Sequence, residues 1–336
     1  MENKVLLSIC IPTCNRGSIL DTVILNYITN EEFDDSVELV ISDNASTDNT
    51  EEIVKEIIKK YPSKKISYYK NDENIGAKNF FAVISRAKGK YAKISNDYIY
   101  MTNEGLKVLK ENIRNTSEDT GLFFYDHLRQ KNNGSIMVKN VDEFIHLVNN
   151  KITWVTNFGC WTKDIQELGE YTKSNSKVDE HIIQISFWAL YLVDHYNKTK
   201  VVDVHWNRGL SIPNSKRVLT YNFFTPHVVW YYDLINDYAK LGKVKPETIV
   251  FDKKRLLSDF VGNKIVEYLI LKKPCAFDLS GSWKIVMEYF GLLPYFYYII
   301  PITTLKLGLI NPIKVRVKKL VKYLLFRNKN KLNHGH

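Results

Sequence analysis

Apolar and polar residues alternate in blocks through the first third of the chain, and the period of the pattern switches from block to block. VLLSICI (5–11) is an unbroken apolar run, as in a strand buried on both faces. PTCNRG follows as a turn, and apolar-periodic residues over 18–28 predict a helix. VELVIS (37–42) reads as a second strand, and SDNASTDNT after it is rich in turn-forming Asn and Asp. Thr47 or Asn49 can cap a helix over 50–60, whose first turn carries Glu51 and Glu52. KISYYK (65–70) and YAKIS (91–95) read as the third and fourth strands, with helices at 77–87 and 104–113. Such alternation with short links predicts a mostly parallel α/β sheet, in which ligands bind beyond the carboxyl ends of the strands. The polar clusters PTCNR, SDNAS and SND lie at those ends.

The middle is less regular. GLFFYDH (121–127) and SIMVK (135–139) predict strands, and ITWVTNFGCW (152–161) is aromatic around a glycine that allows close backbone approach. Residues 177–193 read as one helix with two carboxylates near its start. KVVDVHWNRGLS (200–211) is a strand running into a polar loop, and from about 222 the chain reads as helical. No repeat and no low-complexity linker interrupts it.

Composition narrows the class. Of 336 residues, 45% are hydrophobic and 25% charged, which excludes a disordered or fibrous chain. No uncharged apolar run reaches the length of a membrane span, and the start, MENKVLLSICIPT, does not read as a secretory leader. Cys10, Cys14, Cys160 and Cys275 lack metal-ligand spacing and are expected as reduced thiols of a cytoplasmic protein. The net charge of +10 is localised: from Lys264 onward there are 13 basic and 3 acidic residues, so residues 1–263 are neutral. A neutral body with a basic end predicts an anionic surface met at that end and argues against a nucleic-acid-binding face.

Two clusters can carry chemistry. Asp43, at the end of the second strand, can accept hydrogen bonds from a nucleotide base or ribose, or can simply close an Asx-turn. Asp97, in the triplet Ser95-Asn96-Asp97, can join diphosphate oxygens in holding Mg²⁺ or Mn²⁺, or can be a turn residue. Neither a P-loop nor a dinucleotide fingerprint is present.

The ordered set SICIPTCNR, VISDNASTDNTEEIV and NDENIGAKNFFAVISRAKGKYAKISND resembles the donor half of a family 2 glycosyltransferase over about residues 5–110. It is most similar to enzymes that build bacterial O-antigens and capsules, including the abequosyltransferase-like group. The resemblance implies a GT-A fold: an α/β architecture with a mostly parallel, Rossmann-like sheet flanked by helices, and here a helical C-terminal region. It implies a catalytic domain over 1–221, with a donor half (1–110) and an acceptor half (111–221), before a membrane-associating region at 222–336. Pro12, Thr13, Asn15 and Arg16 would line the nucleotide, and Asp43 would bind the base. Asn74, Gly76 and Asn79 would shape the nucleotide-sugar pocket. Ser95, Asn96 and Asp97 stand where the family has its acidic metal motif, which here keeps one carboxylate. A divalent ion, with nearby Lys or Arg, would neutralise the diphosphate.

Asp179 and Glu180 resemble the family's acid pair, one of which is the general base. Burial against Trp154 or Trp161 would raise its pKa, and a helix N-terminus would lower it. Asp179 is taken as the base, with Glu180 open. His205 falls where the family often returns a His or Arg to the diphosphate, as a metal ligand or phosphate donor, and Arg208 would contact the nucleotide sugar; Lys216 and Arg217 are further candidates for leaving-group contacts.

The C-terminal region adds a partner. Residues 289–305 are uncharged and aromatic but interrupted by Pro294 and Pro301, which argues against a span. Ile313, Val317, Leu320, Val321 and Leu324 then share a helical face beside Lys314, Lys318, Lys322 and Arg327, an interfacial pattern unless the helix packs on its own core. The expectation is an inverting, nucleotide-sugar-dependent transferase, peripheral at the cytoplasmic face of the membrane. Its acceptor would be a polyprenyl-linked or other glycan and its surface an anionic membrane, with no nucleic-acid partner. The alternative is a catalytically silent GT-A-like protein that binds a nucleotide sugar or scaffolds an assembly.

Overall fold

The computed structural model describes residues 5–125, 128, 134–180, 183–204, 207–210 and 221–314. The chain divides into two compact units, one of residues 1–216 and 230–249 and one of 217–229 and 250–336.

The first unit is built on β1 (Leu7–Thr13), β2 (Val37–Asp43), β3 (Ile66–Lys70) and β4 (Tyr91–Ile94), all parallel. Between them run α1 (Gly17–Ile28), α2 (Thr50–Lys60) and α3 (Asn79–Ile84). The sheet order is β3-β2-β1-β4-β8. Chain direction across the sheet therefore reverses between β1 and β4, the switch point where α/β sheets open a binding crevice. Leu7, Ile9, Ile11, Leu39 and Ile41 are fully buried, as the unbroken apolar runs require, and α3 packs on β1 and β2, while Leu20, Val23, Ile24 and Tyr27 of α1 are buried as well.

After β4 come β5 (Ile99–Met101), α4 (Asn103–Asn115), β6 (Gly121–Tyr125), β7 (Ser135–Val138) and α5 (Val141–Val148). Short 3₁₀ turns over 149–157 lead to β8 (Gly159–Trp161), antiparallel to β4. Then follow α6 (Ile165–Ser174), α7 (Ser176–Glu180), α8 (Gln184–His195), β9 (Thr199–Asp203) and β10 (Asn207–Gly209). β9 is central to a second sheet, β6-β9-β7, and β10 pairs with β5. The β5–β10 ribbon was not expected from the pattern, because three residues are too few to show a period.

Gly159 explains how β8 can close on β4. A Cβ there would lie 2.6 Å from Tyr91 Cε1 and 2.9 Å from the Ala92 carbonyl oxygen. Tyr91 is buried and its hydroxyl donates to the Leu122 carbonyl, so it has nowhere to retreat. Gly159→Ala is expected to cost about 1–3 kcal/mol, as overpacking does. An unchanged denaturation midpoint would mean that the two strands are not held this close.

The helix expected over 177–193 is two helices. Ile183 has non-helical φ/ψ of −98° and 31°, and α8 starts behind it at Gln184, buried from its first residue. The helix at 50–60 is also capped differently: Asn49 makes no side-chain cap bond, and Asp48 Oδ1 instead accepts from Thr50 N at 3.0 Å. The first unit ends with α9 (Tyr231–Lys240).

α10 (Pro246–Leu256) leads into the second unit, where α11 (Gly262–Lys264) lies between π-helical stretches at Leu257–Val261 and Ile265–Ile270. α12 (Ser282–Phe290) and α13 (Phe296–Leu305) follow, and helical structure runs on through a π-helical stretch, Lys306–Ile310, to Lys314. Its core is aromatic: the Phe223 ring meets Phe260, Tyr268 and Phe277 with centroids 5.1–5.8 Å apart. Pro301 sits inside α13 and does not end it, contrary to the expected interruption.

Candidate active site

The loops after β1 and β2 are bound to each other by backbone and amide groups. Thr13 and Asp43 are ladder partners, as are Pro12 and Ser42. Asn15 is in the left-handed region at φ 53°, which turns its side chain so that Oδ1 accepts from Thr47 N at 2.8 Å. Its own N–H donates to Ser46 Oγ at 2.8 Å. Arg16 N donates to Thr50 Oγ1 at 3.1 Å, so the residue enters α1 with its guanidinium free to lean toward β4.

That lean joins residues 84 positions apart. Thr13 Oγ1 donates to Asp97 Oδ2 at 3.0 Å, and Arg16 Nε lies 3.7 Å from the same oxygen. Arg16 Nε is buried without a hydrogen-bond partner. An unsatisfied buried N–H of a cation is costly, and an anionic oxygen meets it. Thr13, Arg16 and Asp97 thus flank the switch point together.

The other expected residues divide into those that face this group and those that support it. Asp43 is fully buried, and both its oxygens are engaged: Oδ1 accepts from Ser46 N at 2.9 Å and Oδ2 from Tyr68 OH at 2.5 Å. Burial, reinforced by that bond to Asp43, pushes the Tyr68 hydroxyl pKa up. Asn74 Oδ1 accepts from Asn44 Nδ2 at 2.7 Å and from Gly76 N at 2.9 Å, and Gly76 takes φ 59°. Asn79 is buried and spans Ser42, accepting from its hydroxyl and donating to its carbonyl. Ser95 is buried against Tyr27 OH at 2.8 Å. Asn96 N donates to Thr156 Oγ1 at 3.3 Å, which ties the motif to the turn before β8.

Some residues in this framework carry no sequence signal of their own. Arg86 Nη1 donates to Ser42 Oγ at 2.6 Å, and its guanidinium lies 4.7 Å from the Tyr69 ring centre. Lys93 is fully buried and donates to the Thr156 and Phe158 carbonyls, and burial drives its pKa well down. A lysine in mid-strand reads as a solvent-facing residue until β8 covers it.

Asp179 and Glu180 lie in α7, which starts at Ser176. Their side chains lie outside the described residues, as do His205, Lys216 and Arg217. Trp161 is fully buried, with Nε1 donating to the Thr120 carbonyl at 2.9 Å, whereas Trp154 is 44% exposed. Arg208 lines a polar hollow with Asn26, Thr29, Asn30 and Tyr100; Asp97 is not in that lining.

The described residues offer a divalent ion little. Asp97 is the carboxylate at hand, one of its oxygens already accepts from Thr13 and faces Arg16, and no group of three Asp, Glu, His or Cys gathers among the described residues. They do not by themselves form a metal centre.

Residues 8–190 match the family described as Glycosyl transferase family 2. Abequosyltransferase RfbV of Salmonella typhimurium is 39% identical over 107 residues, which are 31% of this chain and 32% of that protein, so the matched stretch spans about a third of the relative's length. Among solved structures, S. aureus TarS 1-349 in complex with UDP superposes with a TM-score of 0.50 at 15% identity, over 88% of this chain and 83% of that one. The same fragment with UDP-GlcNAc gives 0.48 at 16% identity, over 84% and 77%.

Proposed function

We infer the reaction from one premise, that the chain belongs to glycosyl transferase family 2. The protein is a glycosyltransferase, and we propose that it moves a sugar from a nucleotide-sugar donor to a lipid-linked glycan during surface polysaccharide synthesis, with inversion at the anomeric carbon. The observation that carries this reading is the meeting of Thr13, Arg16 and Asp97 at the switch point.

In this reading the diphosphate lies over the ends of β1 and β4. The Arg16 Nε–H, which has no hydrogen-bond partner, donates to its oxygens, and that interaction strengthens as charge builds on the leaving group, while Thr13, whose hydroxyl donates to Asp97, holds that carboxylate in place. Asp43, held by Tyr68 and Ser46, keeps the base-side loop in place and meets the base only by exchanging one of those partners. A carboxylate at Asp179 or Glu180 takes the acceptor hydroxyl proton as that oxygen attacks from the face opposite the diphosphate. The divalent ion expected from the family resemblance finds Asp97 as its described carboxylate, and no step is assigned to it. Similarity to an abequosyltransferase and the resemblance to O-antigen and capsule enzymes support the class of product. The work would be done at the cytoplasmic face of the membrane, where activated sugars and polyprenyl-linked glycans meet.

A thermal-unfolding screen against nucleotide sugars tests the donor. The cognate donor at 100 times its dissociation constant is expected to stabilise by about 2.7 kcal/mol. No shift with any nucleotide sugar would remove this reading. A shift without transfer to any glycan would make the protein a silent donor-binding relative.

A further inference from the structure

We propose that the second unit docks on an anionic lipid bilayer through the outward face of α13 and its continuation, which enters one leaflet without crossing it. The inference stands apart from the transferase reading, because it rests on the second unit alone.

The helical run Phe296–Lys314 has 19 residues, a mean hydropathy of 1.2 and only 17% of its apolar window buried. Much of its apolar surface faces outward. Ile302, Leu305, Leu309 and Ile313 are exposed, Leu309 to 58%. Their spacing of three, four and four places them along one stripe. Phe296 and Ile300 are the buried residues of the run, and Thr303, Thr304, Gly308 and Asn311 are half-sheltered positions after them. A helix finished in water buries such a stripe. Leu292, just before α13, is 94% exposed, and Trp283 and Met287 of α12 are exposed as well. A groove of about 720 Å³ opens along the run, lined by Ile270, Leu271, Ile300, Pro301, Leu305 and Leu309 among others, a size and polarity suited to hydrocarbon.

Charge chooses the occupant. From Lys264 onward the sequence holds 13 basic and 3 acidic residues. A second copy of the chain would bring the same excess against itself, whereas anionic headgroups neutralise it. Lys272, Lys306 and Lys314 are exposed on and beside the apolar face. This is the composition of an interfacial helix.

Packing decides against crossing. The run is long enough to span, and Pro301 does not break it. Its inner side, however, lies against Gly262 through Ile299 and against Leu271 through Gly308. The neighbouring helices carry the ion pairs Lys264–Glu267 at 2.8 Å and Arg255–Asp259 at 3.9 Å. Drawing this helix through a bilayer would pull those charges into hydrocarbon.

Flotation of the full chain with phosphatidylcholine vesicles, with and without phosphatidylglycerol, tests the proposal. Wild type is expected to float best with phosphatidylglycerol, and high salt should reduce binding without abolishing it. Leu305→Glu with Leu309→Glu should lower vesicle affinity by at least about tenfold, since two buried leucines are lost. Both sites are exposed, so the melting temperature should hold, and Lys306→Gln with Lys314→Gln should weaken only the salt-sensitive part. Equal flotation of the glutamate variant and wild type would overturn the proposal. So would a wild type that ignores vesicles and elutes as a dimer split by the same glutamates, because the face would then belong to a second copy.

Discussion

Asp97→Ala is expected to cut transfer by about 10²–10³-fold, the scale for losing one preorganised donor to developing charge, because Arg16 loses the anion that aims it, and to weaken donor binding as well. The double effect follows from its two neighbours. Asp97 Oδ2 accepts from Thr13 at 3.0 Å and faces Arg16 at 3.7 Å. Without the carboxylate, Arg16 loses the anion that aims it over the ends of β1 and β4, and Thr13 loses its acceptor. Asp97→Asn should recover part of donor binding, because an amide oxygen still accepts from Thr13, and little of the turnover. Activity and isothermal donor titration across a divalent-ion series, with EDTA at one end, separate the contributions. Wild-type turnover by Asp97→Ala across that whole series would show that the residue is only a turn former. A loss confined to turnover, with donor affinity intact, would place its work on the acceptor instead.

The parallel sheet was legible because its strands are buried on both faces, and that burial writes continuous apolar runs at 5–11 and 37–42. The strand-end rule then located the polar loops. It did not rank the residues within them. Asp43 and Asp97 look alike in sequence, yet one is saturated by Ser46 and Tyr68 and the other faces an unsatisfied arginine. That difference comes from Tyr68, on a neighbouring strand, and from Arg16, across the switch point, so no local pattern encodes it. Ser95 shows the same limit: its neighbour in space is Tyr27 of α1, 68 positions away. Lys93 carries no sequence signal of its burial, since a charged residue in a strand marks an exposed position unless another strand covers it. In the second unit the apolar content of 289–305 was plain, but which side of the helix faces outward is a property of packing.

Asp179→Asn is expected to lower turnover by about 10²–10⁴-fold, the usual contribution of a general base, with little change in donor affinity. The asymmetry is the test. A base touches the acceptor hydroxyl and not the nucleotide, so its loss should leave the melting shift produced by donor alone intact. The pair's candidacy comes from its resemblance to the family's acid pair, one member of which is the general base. The comparison variant is Glu180→Gln, which removes the neighbouring charge at equal size. A large loss at Glu180→Gln with near-normal Asp179→Asn would move the base by one residue and keep the mechanism. Near-normal turnover by both variants would remove the acid pair from the reaction and send the search for the base to another carboxylate.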